Sequence, residues 1–416
     1  MPLTILHIST RLILGGSQEN TVLSCEGQAE LGHDVHLTFG PIFGPEGSLL
    51  ERAEGFRTKD DRPIHCHEVP NLVREISPSA DRRCLYELME LMERINPDVV
   101  HTHSSKAGVL GRIAAWKRFK SSTNGRPAVI HTIHGPPFMP IEGGALSRSK
   151  VAFKNWMYTV AERTAARSCH TIVSVADAMT DQFRERSIGT MNQYVTVRSG
   201  MEVEKFLKPL PDEDRASMRA QLGFSDDDFV IGTVARLAQH KGHDDILDGL
   251  CDDLRANPRW KLLWVGDGWW TDRLIDRVRE LGFEDQLVHT GLVPQHRVGA
   301  MMRAMDVLLH PSYREGLPRT VPQALLCSVP VCASNTDGTP EICVDARTDP
   351  NNATGLLFEP GDAHGLGDSI RWMYEHPHER RKLGVRGREI CTDMFSTERM
   401  VSELERVYAA ALARSF

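Results

Sequence analysis

Two cations, an acid and an amide stand at spacings that suit a phosphorylated sugar. Arg236 follows the apolar run 230–235, and Lys241 comes five residues later, where a helical pattern begins. A guanidinium grips phosphate oxygens in fork geometry and an ammonium adds a compact charge, so the pair suits a diphosphate; a solvated basic loop is the other reading. Further on, the segment 310–326 sets Glu315 and Gly316 in a loop, with Leu317 and Pro318 at its end. Pro318 suits a first helical turn. Gln323 follows the acid by eight residues, about two helical turns. Loop carboxylate, backbone amides and helix side chain together would offer a graded surface to a sugar, its phosphates and a ribose. A capping or surface acid is the alternative for Glu315.

The first half holds Gly15 and Gly16 after its first apolar run, with Ser17 placed to cap the next helix, whose N-terminus favours an anion. His134, followed by Gly135, ends another apolar run, where it either faces a ligand or serves as a structural hydrogen-bonder. His65, Cys66 and His67 are metal-binding types, but alternate residues of a strand face opposite sides, so no metal site is expected there.

Such residues need strand-to-helix loops to hold them. Apolar runs at 4–8, 35–39, 64–69, 99–103, 129–134, 171–175 and 194–197 alternate with amphipathic segments such as 83–95, where Leu85, Leu88, Met89 and Met92 fall at helical spacing. The segment 206–228, with Pro209, Pro211 and many charges, marks a junction with a short helix at 215–222. A second series of runs follows at 230–235, 261–265, 287–290, 307–309, 329–332 and 355–358, and then a last helical stretch at 397–412. This alternation predicts two parallel sheets covered by helices, in domains 1–205 and 206–390 with a terminal segment 391–416. In such sheets ligands bind beyond the carboxyl ends of the strands, where the notable residues fall.

Composition removes several classes. The 49 Lys and Arg against 56 Asp and Glu, net −7, argue against a nucleic-acid binder. The nine cysteines are scattered and suit reduced thiols in a cytoplasmic protein. No signal peptide or bilayer-spanning run is read. Without Gly-x-Gly-x-x-Gly and its acid in register, a dehydrogenase is not supported.

With these residues in view, the chain resembles the family-4 retaining glycosyltransferases over nearly its whole length. The resemblance rests on Gly15-Gly16, on His101, Thr102 and His103 followed by Ser104, Lys106 and Gly108, and on the segments 131–135, 199–202 and 265–268. Arg236, Lys241 and Glu315, the first acid of a Glu-x7-Glu motif, complete it. It implies the GT-B fold: α/β, with two Rossmann-like doubly wound domains facing across a cleft and the last helix crossing back to the first domain. It further implies that Glu315 holds donor-sugar hydroxyls, that amides of Gly316 and Leu317 meet sugar and phosphates, that His134 lies beside the sugar, and that Leu292 and Val293 flank the base. The second acid of the motif is Gln323 here, a neutral group that still accepts and donates hydrogen bonds.

The expected activity is transfer of a hexosyl group from a nucleotide-diphosphate sugar, by default a UDP-sugar, with retention and without metal or cofactor. The acceptor is a glycan, a lipid-linked sugar or a small molecule, in cell-surface polysaccharide or glycolipid synthesis. A GT-B nucleotide-sugar epimerase and a non-catalytic nucleotide-sugar-binding protein are the alternatives. Two basic stretches with aromatics suit peripheral contact with the inner face of a membrane: Arg112, Trp116, Lys117, Arg118, Phe119, Lys120 and Arg126, and Arg148, Lys150, Lys154, Trp156 and Tyr158. A solvated helix face is the other reading of both.

Overall fold

The computed structural model describes residues 1–42, 47–119, 127–138 and 145–415, leaving aside the side chains of 145–147 and 415. The chain forms two units, Met1–Met201 with Thr397–Phe416, and Glu202–Ser396.

The first unit is a parallel sheet of β1 (Thr4–Ile8), β2 (Asp34–Phe39), β3 (His65–Glu68), β4 (Val99–His103), β5 (Ala128–Ile133), β6 (Thr171–Ser174) and β7 (Tyr194–Thr196). Their order is β3-β2-β1-β4-β5-β6-β7. The helix Pro78–Ile95 buries Cys84, Leu88, Leu91 and Met92, one face of a 3.6-residue repeat, against Leu6, Ile8 and Val100. Proline opens that helix and Asn96, at φ 49°, stops it. The last helix, Thr397–Ser415, lays Met400, Val401, Leu404, Val407 and Tyr408 against Ile5, Leu23, Val99 and Ile130 of the same unit.

The second unit has β8 (Phe229–Val234), β9 (Trp260–Val265), β10 (Leu287–His289), β11 (Val307–His310), β12 (Val331–Ser334) and β13 (Gly355–Phe358), ordered β10-β9-β8-β11-β12-β13 and all parallel. Its core packs Ile246, Leu250, Trp260, Trp264, Leu309 and Ile370. The junction helix Arg215–Leu222 is pinned to this sheet by Arg219, whose guanidinium donates to Asp306 at 2.5 Å beside β11. Both sheets reverse their order at one place, between β1 and β4 and between β8 and β11. Ligands of such sheets bind at that switch point, beyond the carboxyl ends of the strands.

Two local expectations are corrected. Ser17 does not cap the first helix: the paired glycines let Gly16–Glu30 begin earlier, Gly15 is its extended N-cap, and the Ser17 hydroxyl donates to Gln18 at 2.8 Å. Pro318 lies before the helix Thr320–Leu326, because residues 315–318 form a loop tied to Gly338, whose N–H donates to the Gly316 carbonyl at 3.1 Å.

Candidate functional site

At the switch point of the second unit the β8 and β11 loops meet. Gly242, at φ 70°, lets them touch: a Cβ there would lie 2.2 Å from the Pro311 carbonyl oxygen. The Tyr313 N–H donates to the His240 carbonyl at 2.9 Å, locking one loop to the other. This contact delivers Lys241, in the short turn Gln239–Lys241, to Glu315, with Nζ 2.5 Å from Oε1. His310 Nε2, at the end of β11, lies 3.1 Å from the same oxygen. The Glu315 N–H donates to Asp337 at 2.5 Å, and Asp337 holds an uncommon φ of 47°. Burial alone would raise the Glu315 carboxyl, but His310 and Lys241 outweigh it and hold the group well below the usual carboxylate range. Glu315 is therefore a fixed, ionised acceptor.

Arg236 does not join that pair. It is exposed and lies over the Trp269 ring, 5.5 Å from its centroid, on the loop after β9. Its charge still reaches the site: His240 is drawn below the usual imidazole range by burial and by Lys241, against the pull of Glu315, with Arg236 and Arg314 adding to the fall. Gly316 is partly buried, Leu317 is buried, and Gln323 is buried on the helix Thr320–Leu326. Leu292 is exposed and Val293 partly buried, just past Gly291, whose carbonyl accepts the Gly266 N–H at 2.9 Å.

In the first unit the switch-point loops meet through Thr10 and Ser104, whose hydroxyls lie 2.7 Å apart. Ser104 adopts φ 61°, ψ 159°, a strained conformation for a residue with a Cβ, of the sort concentrated at functional sites. Beside it is a pocket of about 390 Å³ lined by Ser17, Ser104, His131, His134, Pro136 and Glu162, among others. Gly15 and Gly16 open the helix that carries Ser17.

Behind His134 stands a feature that single segments do not reveal. Strand register sets His7 beside His101 and His103 beside Thr132, all on one face of the sheet. His134 Nε2 shares a hydrogen bond with His103 Nδ1 at 3.1 Å, and His103 Nε2 with His7 Nδ1 at 2.9 Å. His7 Nε2 meets Gln28 Oε1 at 2.7 Å. His101 bonds Tyr408 Oη at 2.6 Å and Thr132 Oγ1 at 2.7 Å. Burial drives His7 down to about 4 and His101 and His103 well below the imidazole range. The ring nitrogens of these three histidines approach within 4.8 Å, as in a metal centre, yet all six are engaged in the bonds just given.

Of the other sequence candidates, His65 and His67 share a face with His36, while Cys66 packs toward the opposite core. The first basic stretch is partly interior: Arg112 is fully buried against Glu162 at 2.6 Å and Phe119 is interior, Lys117 is exposed, and Lys120 and Arg126 lie outside the described residues. The second is a surface. Arg148, Lys150, Lys154 and Trp156 are exposed on the helix Ala145–Ala166, and Phe153, missed in the sequence, stacks on Trp156 at 5.8 Å.

Residues 214–390 match the family Glycosyl transferases group 1, and residues 15–200 match the Glycosyl transferase 4-like domain. The capsular polysaccharide biosynthesis glycosyltransferase CapM of Staphylococcus aureus is 24% identical over 84% of this chain and 86% of its own length. The UDP-Gal:alpha-D-GlcNAc-diphosphoundecaprenol alpha-1,3-galactosyltransferase of Escherichia coli is 28% identical over 80% of each chain. Among solved structures, Anabaena Alr3699/HepE in complex with UDP and glucose superposes with a TM-score of 0.75 at 18% identity, covering 98% of this chain and 99% of its own.

Proposed function

The chain belongs to the group 1 glycosyl transferases, enzymes of the two-domain Rossmann-like GT-B fold, and from that premise we propose that it moves a hexosyl group from a uridine diphosphate sugar to a glycan or lipid-linked acceptor, with retention and without a metal ion. One observation carries this reading: Lys241, His310 and Glu315 gather at the switch point of the second sheet. Lys241 has three N–H donors and commits one to Glu315, and the other two would serve phosphate oxygens. Arg236 on the same loop adds a guanidinium. Ionised Glu315 accepts hydrogen bonds from sugar hydroxyls. Gln323 offers an amide to the ribose.

The chemistry breaks the bond between the anomeric carbon and the diphosphate and forms one to an acceptor hydroxyl. Positive charge grows on the sugar and negative charge on the leaving group, so fixed cations act where charge develops. We assign the acceptor's proton to the departing phosphate on the same face, and no protein-bound intermediate is needed. His134 lines the pocket of the first unit, and we assign it a role in transfer. The named transferase relatives favour transfer over epimerisation or binding without turnover.

A lipid-linked acceptor agrees with the E. coli relative, whose name gives a diphosphoundecaprenol substrate. No helix of the described residues is long and apolar enough to cross a membrane. Peripheral contact through Phe153 and Trp156, with Arg148, Lys150 and Lys154 around them, would bring the enzyme to such an acceptor.

A panel of nucleotide sugars in thermal unfolding tests the reading, because a true donor stabilises the folded state by mass action. A UDP-sugar is expected to raise Tm and to be consumed when acceptor is present. Absence of any shift across UDP-, GDP- and ADP-sugars would remove the donor site from the second unit.

A further inference from the structure

We infer that Gln28 fixes the proton on His134 through His7 and His103, so that Gln28 and His7 are positioning residues for the chemistry of a side chain they never touch. The inference rests on the proposed role of His134 in transfer, but its central claim concerns the protein alone.

A neutral imidazole has one N–H and one lone pair. Burial keeps His7 and His103 neutral in the folded state. The direction of the chain then follows from its end. Gln28 Oε1 can only accept, so His7 carries its hydrogen on Nε2 and donates it across 2.7 Å. His7 Nδ1 is thereby a lone pair, and His103 must donate to it from Nε2 across 2.9 Å. His103 Nδ1 becomes the acceptor in turn, and His134 must donate to it from Nε2 across 3.1 Å. The Nε2 hydrogen of His134 is therefore spoken for inside the protein.

The anchor is itself held. Gln28 Nε2 donates to Tyr408 Oη at 2.9 Å, so both ends of the amide are engaged. Tyr408 then gives its own hydrogen to His101 Nδ1 at 2.6 Å, and His101 donates from Nε2 to Thr132 Oγ1 at 2.7 Å. Each donor meets an acceptor throughout. Turning the Gln28 amide over would reverse every bond and move the hydrogen of a neutral His134 from Nε2 to Nδ1. Two chemically opposite side chains at position 134 therefore differ by one amide orientation on another helix.

Long-range ¹⁵N–¹H correlation spectra of the histidine-labelled enzyme read the tautomers directly, with His134→Gln identifying the resonance. His134 is expected as the Nε2–H form in the intact protein; an Nδ1–H form would overturn the proposal without any further variant. Gln28→Glu keeps an acceptor at His7 and should preserve the tautomer, whereas Gln28→Met removes the anchor and should leave His134 as a mixture. The Met variant should lose kcat by about ten-fold or more with donor KM unchanged, and the Glu variant should recover much of it. A tautomer unmoved in Gln28→Met would overturn the control by Gln28. A tautomer that moves with kcat unchanged would instead overturn the role of His134 in transfer.

Discussion

The ammonium of Lys241 lies 2.5 Å from a carboxylate oxygen of Glu315, joining residues 74 positions apart at the ends of adjacent strands. Both are largely buried, and the carboxylate is shared with His310 at 3.1 Å. The pair closes the β8 loop onto the β11 loop and keeps a cation and an anion at fixed places on one surface. Removing Lys241 leaves a buried carboxylate short of one of its two partners. Lys241→Met is expected to cost about 3 kcal/mol of stability as well as activity. Arg236→Ala touches only an exposed stacking contact, so it should leave Tm unchanged while lowering kcat by about 10²-fold. Steady-state kinetics beside thermal unfolding separate the two, and near-normal turnover in the double variant would remove the cationic clamp.

Stability should fall as pH drops below about 6.5. His7 titrates at about 4 in the folded state, and His101, His103 and His131 lie well below the ordinary value, each chiefly through burial. Between the ordinary and the lowered values the unfolded chain binds protons that the folded one refuses. Each such group removes about 1.4 kcal/mol per pH unit across that window. Glu315 acts in the same direction at lower pH: its depressed carboxyl stabilises the fold above the ordinary glutamate range, and that contribution is lost as pH falls from there through the lowered value. Denaturant midpoints from pH 7.5 to 5 should therefore decline steeply, and a flat profile would contradict the buried neutral histidines.

Turnover should persist in excess EDTA, because Lys241 and Arg236 supply the charge that a divalent ion would bring to a diphosphate. Complete loss, restored by added magnesium or manganese, would reverse the metal-independent mechanism.

Gly108→Ala should destabilise the first unit although alanine is the better helix former. The added Cβ would lie 2.4 Å from His131 Cε1, and that ring is buried under the pocket with its Nδ1 3.0 Å from Thr102. Overlap of this kind costs about 1–3 kcal/mol, which the melting temperature reads.

Vesicles containing anionic phospholipid should bind the protein in a salt-sensitive way. Lys150→Ala and Lys154→Ala should each weaken binding about five-fold, and Phe153→Ser with Trp156→Ser should abolish most of what remains at high salt. Equal binding by all four would return the helix Ala145–Ala166 to a solvated role.

Much of the scaffold was legible because buried parallel strands are short apolar runs between longer periodic segments. All thirteen strands in the described residues fall within two residues of the expected runs, and the junction helix 215–222 falls where its composition changes. Lys241 and Glu315 were legible as types beside strand ends, though their contact was not. The histidine chain was not legible, since it depends on the register of β1, β4 and β5 and on Gln28 and Tyr408, 380 positions apart. Arg112 was misread for a related reason: a cation in a basic stretch looks solvated until its partner, Glu162, arrives from another helix.

Tyr408 and its neighbours on the last helix are part of the first unit's interior, although the whole second unit intervenes in the chain. On the ribosome, residues 202–396 can therefore complete their own sheet while the earlier one still lacks a wall. The domain translated first is the domain finished last, and its exposed apolar strands must be kept from aggregating until residues 397–415 emerge.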